Sequence, residues 1–351
     1  MTELFIGTRK VGESHSPFVI AEVGINHNGE LEKALEMIHV AKAAGADSVK
    51  FQTFRADEFV GDPSQMFTYT SQGKQVTESM LAMFRRYELK RQDWDVIKKE
   101  CEAAGILFLS TPQNRSDLDV LLEVGVPAVK IGSDDFTNLP LLRSYAETRL
   151  PLIVSCGMSD LGEVYRSLDT VGTFDGYPTV LLLCTSQYPT PPRDVNLRKL
   201  ATLRAAFPHL VLGFSDHTQG PEASALAVAM GASVFEKHFT LSHDLPGPDH
   251  WFSETPDSLR KWVNAIRTAD VMLGSGVVRP TAAERDMRTI ARRSIVASRD
   301  IKEGDICSAS NIGLRRPGTG LAPELMGHVI GGQATRDIKA GEALAFGDVR
   351  K

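Results

Sequence analysis

Between residues 18 and 238 the chain repeats one pattern: a short apolar run closes on polar residues and gives way to a stretch with helical spacing. The apolar runs are 18–23, 48–51, 106–110, 128–131, 152–155, 180–184, 210–214 and 233–238, and helical patterns such as 31–44, 93–104, 221–229 and 258–273 fill the gaps. About eight β-α units in roughly 250 residues predict an α/β fold of the TIM (βα)8 barrel type. A doubly wound sheet is the structural competitor. Ahead of the first run, residues 5–15 carry a Gly7-Thr8 turn, which predicts a hairpin plugging the bottom of the barrel.

After Leu273 the texture changes. Gly274-Ser275-Gly276 and Arg279-Pro280 punctuate the chain, and no further long helix is expected. Short β-like pieces follow at 294–297 and 311–314, with turns at Glu303-Gly304-Asp305 and Ala340-Gly341-Glu342. The phrase Arg299-Asp300-Ile301-Lys302-Glu303-Gly304 nearly recurs as Arg336-Asp337-Ile338-Lys339-Ala340-Gly341, the mark of an internal duplication. The chain thus divides into a barrel over 1–275, a linker over 276–288 and a small β-domain over 289–351.

With 351 residues, 42% of them hydrophobic, there is enough for one large core and a smaller unit. A formal net charge of −5 with both signs interspersed argues against a nucleic-acid footprint, which needs clustered basic residues. Cys101, Cys156, Cys184 and Cys307 lie far apart, which fits a reduced cytoplasmic protein better than a disulfide framework. No segment approaches the roughly 20 apolar residues of a membrane span, and the start shows no export signal, so a soluble, unexported protein is expected.

The barrel pattern gives side chains a direction, because alternate strand residues share a face and one face points inward. His217 and His238 end the last two apolar runs, so their imidazoles belong at adjacent strand tips, where a parallel α/β protein holds a ligand or metal. Glu236 shares parity with His238, Ser215 with His217, Lys50 with Gln52, and Glu22 with Gly24 and Asn26. Charged groups there would be costly in an apolar core, so their gathering predicts a polar pocket. Lys50 and Lys130, beside Thr111, Ser133 and Ser155, suit a phosphate or carboxylate, although they also suit plain ion pairs with Glu22 or Glu236. A lone histidine is usually a hydrogen-bonded core residue, and His27 reads as part of a turn and helix cap. Asp216, of opposite parity, reads as support, and Lys237 as a solvated residue.

Several ordered motifs resemble the sialic acid synthase family: Glu22-Val23-Gly24-Ile25-Asn26-His27-Asn28-Gly29, Lys50-Phe51-Gln52-Thr53-Phe54, Lys130-Ile131-Gly132-Ser133, Gly213-Phe214-Ser215-Asp216-His217, Glu236-Lys237-His238-Phe239-Thr240 and Gly247-Pro248-Asp249-His250. The tail, with Ala291-Arg292-Arg293-Ser294 and Arg315-Arg316-Pro317-Gly318, resembles that family's antifreeze-like (SAF, β-clip) domain. The resemblance implies condensation of phosphoenolpyruvate with the aldehyde of an N-acetylmannosamine-type sugar, N-acetylmannosamine itself or 2,4-diacetamido-2,4,6-trideoxymannose, with release of phosphate. It further implies a divalent ion, Mn2+ before Mg2+ or Co2+, on His217 and His238. Lys50, Thr111, Lys130, Ser133, Ser155, Ser186 and Ser215 would hold phosphoenolpyruvate. Gln52, Tyr188, Asp249 and Arg316 would hold the sugar, Arg316 arriving from the partner in a domain-swapped homodimer. Glu22 and Glu236 would act at the reacting centre, Glu22 also positioning the sugar.

The sequence departs from the commoner family pattern at Asp134 and Asp135, where many relatives carry Gly-Glu, and at Ser186 and Cys156, which puts the hydrogen bonding around the substrates in doubt. Between Phe54 and Asp93 lies an insertion too long for an ordinary βα connection of about 2–6 residues. It is expected to carry a short helix over 77–89, to cover the sugar's far end and to contribute selectivity. Three other readings remain: a phosphoenolpyruvate aldol enzyme of spore-coat, pseudaminate or sugar-phosphate type, a metal-free Schiff-base aldolase using Lys50 or Lys130, and a non-enzymatic carbohydrate-binding protein.

Overall fold

The computed structural model describes residues 3–351; Met1 and Thr2, which the first domain was expected to include, lie outside them. The chain forms two compact units, Met1–Gly274 and Ser275–Lys351.

The first unit is an eight-stranded parallel barrel. Its strands are Phe18–Gly24, Ser48–Thr53, Leu107–Pro112, Val129–Ile131, Leu152–Ser155, Thr179–Cys184, Val211–Ser215 and Val234–His238, numbered first to eighth below. The eighth pairs with the first, and every neighbouring pair is hydrogen-bonded except third and fourth, which lie side by side. Helices follow the strands, from Leu31–Ala44 after the first to Pro256–Leu273 after the eighth. Leu31–Ala44 and Arg91–Ala104 both end on glycines, Gly45 and Gly105, at positive φ, the left-handed conformation that closes a helix most cheaply without a Cβ.

The interior is tiered. Inward residues from the strand starts, among them Phe18, Ile20, Leu109, Ile153, Leu182 and Val234, pack with Leu4, Ile6 and Val11 of an antiparallel hairpin, Glu3–Ile6 with Arg9–Gly12. The expected bottom plug is therefore present. Outward residues of the same strands form the larger core with the helices, including Val19, Val49, Phe108, Leu181 and Phe235.

The insertion after the second strand differs from expectation. It begins with a turn of helix, Ala56–Phe59, and then makes an antiparallel hairpin, Met66–Ser71 with Lys74–Ser79, before the helix Met80–Tyr87. A helix over 77–89 thus holds only from Met80. Gln72 and Gly73 both take positive φ, as a two-residue hairpin turn requires, and Tyr69 pairs opposite Val76. The Thr- and Tyr-rich alternation around Gln72-Gly73 was the available signal.

In the second unit, part of the expected linker is helical, Ala282–Ala291, capped by Thr281 and Glu284 in reciprocal hydrogen bonds. Strands Ser294–Ala297 and Ile312–Arg315 pair antiparallel. The duplicated phrases meet each other: Ile301 and Ile338 exchange both backbone hydrogen bonds, while Lys302 pairs with Asp337 and Lys339 with Asp300. Each copy caps the other in a quasi-two-fold arrangement around the buried Ile301 and Ile338.

Candidate active site

Above the apolar tiers, the inward positions at the strand ends turn polar. Lys50 Nζ lies 2.7 Å from a Glu22 carboxylate oxygen and donates to Thr111 Oγ1 at 3.0 Å. Lys130 Nζ donates to Ser155 Oγ at 2.8 Å and to the Ile131 carbonyl at 2.9 Å. Glu236 sits between the two ammonium groups, 3.7 Å from each, and accepts from Ser215 Oγ at 2.9 Å. Both lysines and both glutamates are buried. The ion-pair reading and the pocket reading of these lysines are therefore both realised.

The two carboxyls are driven apart. Burial pushes Glu22 above the ordinary carboxylate range, with Lys50 opposing. Burial also works against charge on Glu236, but Lys130, Lys50 and the Ser215 hydroxyl outweigh it and hold that carboxyl low. Burial lowers Lys130 below its ordinary value. Opposite shifts on neighbouring acids are the arrangement that separates a proton donor from a proton acceptor.

His217 and His238 stand above this tier with ring centroids 5.6 Å apart, and Tyr188 lies over His217 at 4.1 Å. His217 Nδ1 is 2.8 Å from the Thr185 carbonyl, so that nitrogen carries the hydrogen and Nε2 is left to bind. Burial opposes charge on His217, yet the adjacent Cys184 and that carbonyl raise it. Burial, then His217 and the lysines, hold His238 well below its ordinary value; its buried Nδ1 has no hydrogen-bond partner among the described residues. Two imidazoles with a free lone pair each fit a divalent ion whose other positions are filled by water or substrate. Among the described residues no group of three or more His, Cys, Asp or Glu is placed to hold a metal by itself.

All of the expected site residues from Glu22 to His238 line one cavity of about 290 Å³: Glu22, Lys50, Gln52, Thr111, Lys130, Ser133, Ser155, Ser186, Tyr188, Ser215, His217, Glu236 and His238. Asp249 lines an adjoining cavity of about 460 Å³ that shares Gln52, Tyr188 and His238. Arg316 is exposed in the second unit, just after the strand Ile312–Arg315. Of the departures, Asp134 and Ser186 reach the first cavity, whereas Cys156 turns its thiol to the Leu182 carbonyl and away from it. Gly157 completes the cradle: its N–H donates to Ser133 Oγ, and a Cβ there would stand 2.5 Å from Ser186 Oγ.

Lys237 is not solvated. Outward in a barrel means toward the helices, and there its buried ammonium pairs with Asp216 at 3.1 Å and Glu254 at 3.4 Å. Asp216 also accepts from the Thr218 amide and hydroxyl, from Ser224 Oγ and from Trp262 Nε1. The residues just before His217 and His238 are thereby bonded across the two strands, which fixes the separation of the imidazoles. His27 likewise sits inside, accepting from the Gly29 amide, while Glu30 takes the N-cap position of the first long helix. Asp216 supports the site as its parity predicts, whereas its partners Lys237 and Trp262, with Glu254 behind Lys237, and Phe67, Tyr69, Trp251 and Phe252 of the second cavity, have no counterpart in the sequence expectations.

Over 97% of its length the chain is 41% identical to the N,N'-diacetyllegionaminic acid synthase of Legionella pneumophila, covering 96% of that protein. The human N-acetylneuraminate-9-phosphate synthase is 34% identical over 85% of the chain and 82% of its own length. The crystal structure of an N-acetylneuraminic acid synthetase from Leptospira borgpetersenii in complex with citrate superposes with a TM-score of 0.73 at 32% identity, covering 82% of this chain and 95% of that one. Residues 292–350 match the SAF domain. Residues 37–278 match the NeuB family, and with full-length relatives that are sialic-acid-type synthases, this chain belongs to that family.

Proposed function

We propose that the protein is a nonulosonic acid synthase that joins phosphoenolpyruvate, the open-chain aldehyde of an N-acetylmannosamine-type sugar and water, releasing inorganic phosphate. The observation that carries this reading is the two-lysine, two-glutamate tier lying directly beneath two imidazoles in one cavity.

Lys50 and Lys130, with the hydroxyls of Thr111, Ser133, Ser155, Ser186 and Ser215, hold the phosphate and carboxylate of the enol ester. Gln52, Tyr188 and Asp249 align the sugar, and Arg316 of a second subunit meets its acetamido group in a domain-swapped homodimer in the cytoplasm. A divalent ion, Mn2+ before Mg2+ or Co2+, on His217 and His238 would stabilise negative charge on the aldehyde oxygen. The enol carbon C3 bonds to the aldehyde carbon, and the aldehyde oxygen takes a proton; Glu22, whose carboxyl burial pushes above the ordinary carboxylate range, is the donor. Water adds at C2, and ionised Glu236 takes its proton. The bond from C2 to the phosphate oxygen then breaks as the new C2 hydroxyl passes its proton to the departing phosphate, leaving the keto acid, and the lysines stabilise the departing charge.

Phosphate release from phosphoenolpyruvate, measured with N-acetylmannosamine and with 2,4-diacetamido-2,4,6-trideoxymannose in the presence of Mn2+, tests the reading. Release that needs one of these sugars and stops with chelator is expected; no release with either sugar overturns it. The lowered Lys130 is the one observation that favours a Schiff-base aldolase, because a neutral amine is the nucleophile such chemistry needs. Chelator-indifferent turnover with borohydride trapping at Lys130 would establish that alternative.

A further inference from the structure

Besides the two imidazoles, the charged side chains lining the first cavity are Glu22, Lys50, Lys130, Asp134 and Glu236. Lys50 pairs with Glu22 and Glu236, and Lys130 with Glu236. Asp134 stands apart. Among the described residues its carboxylate has neither an ion pair nor a hydrogen bond, and it is exposed at the rim. It also occupies one of the positions at which the sequence departs from the commoner family pattern, and the reaction steps above give it no part.

The local geometry explains where that carboxylate lies. A Cβ on Gly132 would stand 2.1 Å from Asp134 Oδ1 and 3.2 Å from its Cγ, so the side chain folds back over Gly132, just past the end of the fourth strand. The carbonyl of the preceding residue, Ile131, accepts from Lys130 Nζ at 2.9 Å. The Asp134 carboxylate and the Lys130 ammonium therefore flank one strand end without pairing, and the carboxylate acts on any anion that the ammonium holds. Asp135 is different. It does not line the cavity, and it accepts from Asn138 Nδ2 at 3.1 Å, where Asn138 caps the helix Leu139–Ala146.

Resting on the proposed reaction, we propose that Asp134 is an electrostatic counterweight to the two lysines, which loosens the hold on phosphate so that the product anion leaves. Phosphoenolpyruvate and inorganic phosphate present the same group to Lys50 and Lys130. A cradle built for attraction alone would keep the product as firmly as it captures the substrate, and product release sets the turnover of many enzymes. A carboxylate at the rim repels that phosphate group in both molecules, across a mouth partly screened by water. Phosphoenolpyruvate has a second handle in its own carboxylate. Free phosphate has none, so the same repulsion removes a larger share of its total attraction.

The test uses inorganic phosphate as the probe, titrated calorimetrically into the full chain without sugar, at low and at high ionic strength. Asp134→Asn keeps the shape and removes the charge. It should tighten phosphate binding about three- to tenfold at low ionic strength and lose most of that gain at high ionic strength, as expected of one charge acting across a solvent-lined mouth. In turnover assays with Mn2+, KM for phosphoenolpyruvate should fall in parallel, and phosphate should become a correspondingly stronger product inhibitor. Asp134→Glu should stay closer to the parent than Asp134→Asn, and Asp135→Asn should leave phosphate binding unchanged. An unaltered phosphate Kd in Asp134→Asn, a gain equally large at both ionic strengths, or the same gain in Asp135→Asn overturns the inference while the synthase reading stands. If the phosphate affinities shift as expected but neither N-acetylmannosamine nor 2,4-diacetamido-2,4,6-trideoxymannose supports phosphate release, the synthase reading falls and the counterweight to the anion cradle stands.

Discussion

The lower and upper halves of the barrel interior come from the same inward-facing strand positions, yet they bury opposite chemistry. Below, Ile20, Leu182 and Val234 interlock with the hairpin's Ile6 and Val11 in a dry, fully apolar plug. Above, two residues further along the same strands, Glu22, Cys184 and Glu236 share a cavity with Lys50, Lys130 and two histidines. One half stabilises by close packing. The other buries charge at a cost that only mutual pairing offsets, which is the division of labour expected of a barrel that works at its C-terminal rim.

Substitutions should separate the two halves. The largest effect is expected at the rim, where His217→Ala or His238→Ala should lower phosphate release by about a thousandfold or more, the equivalent of several kcal/mol of lost charge stabilisation. Circular dichroism and thermal unfolding should change little. Near-normal turnover in either variant would remove the imidazoles from the site.

Next comes Lys237→Met, which leaves Asp216 buried without its cation and should cost about 3–5 kcal/mol in urea unfolding. Lys237→Arg should recover part of that loss. A neutral Lys237→Met would mean that Ser224, Thr218 and Trp262 alone satisfy Asp216. In the plug, Leu182→Ala should cost about 2–5 kcal/mol of stability while kcat, measured well below the unfolding transition, stays near that of the parent. Loss of kcat without loss of stability would show that the tiers are not independent.

The last effect is graded with pH. Burial, and after it the nearby His250, push the His27 imidazole down to about 3, against an ordinary 6.5. The folded protein therefore binds fewer protons than the unfolded chain between those values. This contribution is intact above pH 6.5 and is lost as pH falls through that window, at a slope of up to about 1.4 kcal/mol per pH unit. His27→Gln should flatten the unfolding free energy against pH over the same range; an unchanged slope would assign the acid sensitivity to other groups.

Much of this was readable in the chain because it depends on local pattern. Period-two alternation placed Glu22, Lys50, Glu236 and His238 on one inward face, and the structure brings them into one cavity. The same alternation, read without the helices, left Lys237 in solvent. Its parity was right, but outward in a closed barrel means against Ser224 and Trp262, and only the packed layer supplies Asp216 and Glu254 as partners. The hairpin Met66–Ser79 differs from the expected helix-bearing insertion, although its Thr- and Tyr-rich alternation and Gln72-Gly73 turn are a local signal for it. Its anchoring to Asp244 and Gly247, about 170 residues away in sequence, has no local signature.

The sequence by itself determined the number and order of the βα units, the polar rim with its paired acids, bases and imidazoles, and the duplicated tail, because each is written in short-range periodicity and residue type. The tertiary structure decided which of those charges pair with one another, how the two carboxyls are driven apart, and how a distant hairpin walls a second chamber. Such features depend on distances between residues far apart in the chain and on exclusion of water, and both exist only once the barrel has closed.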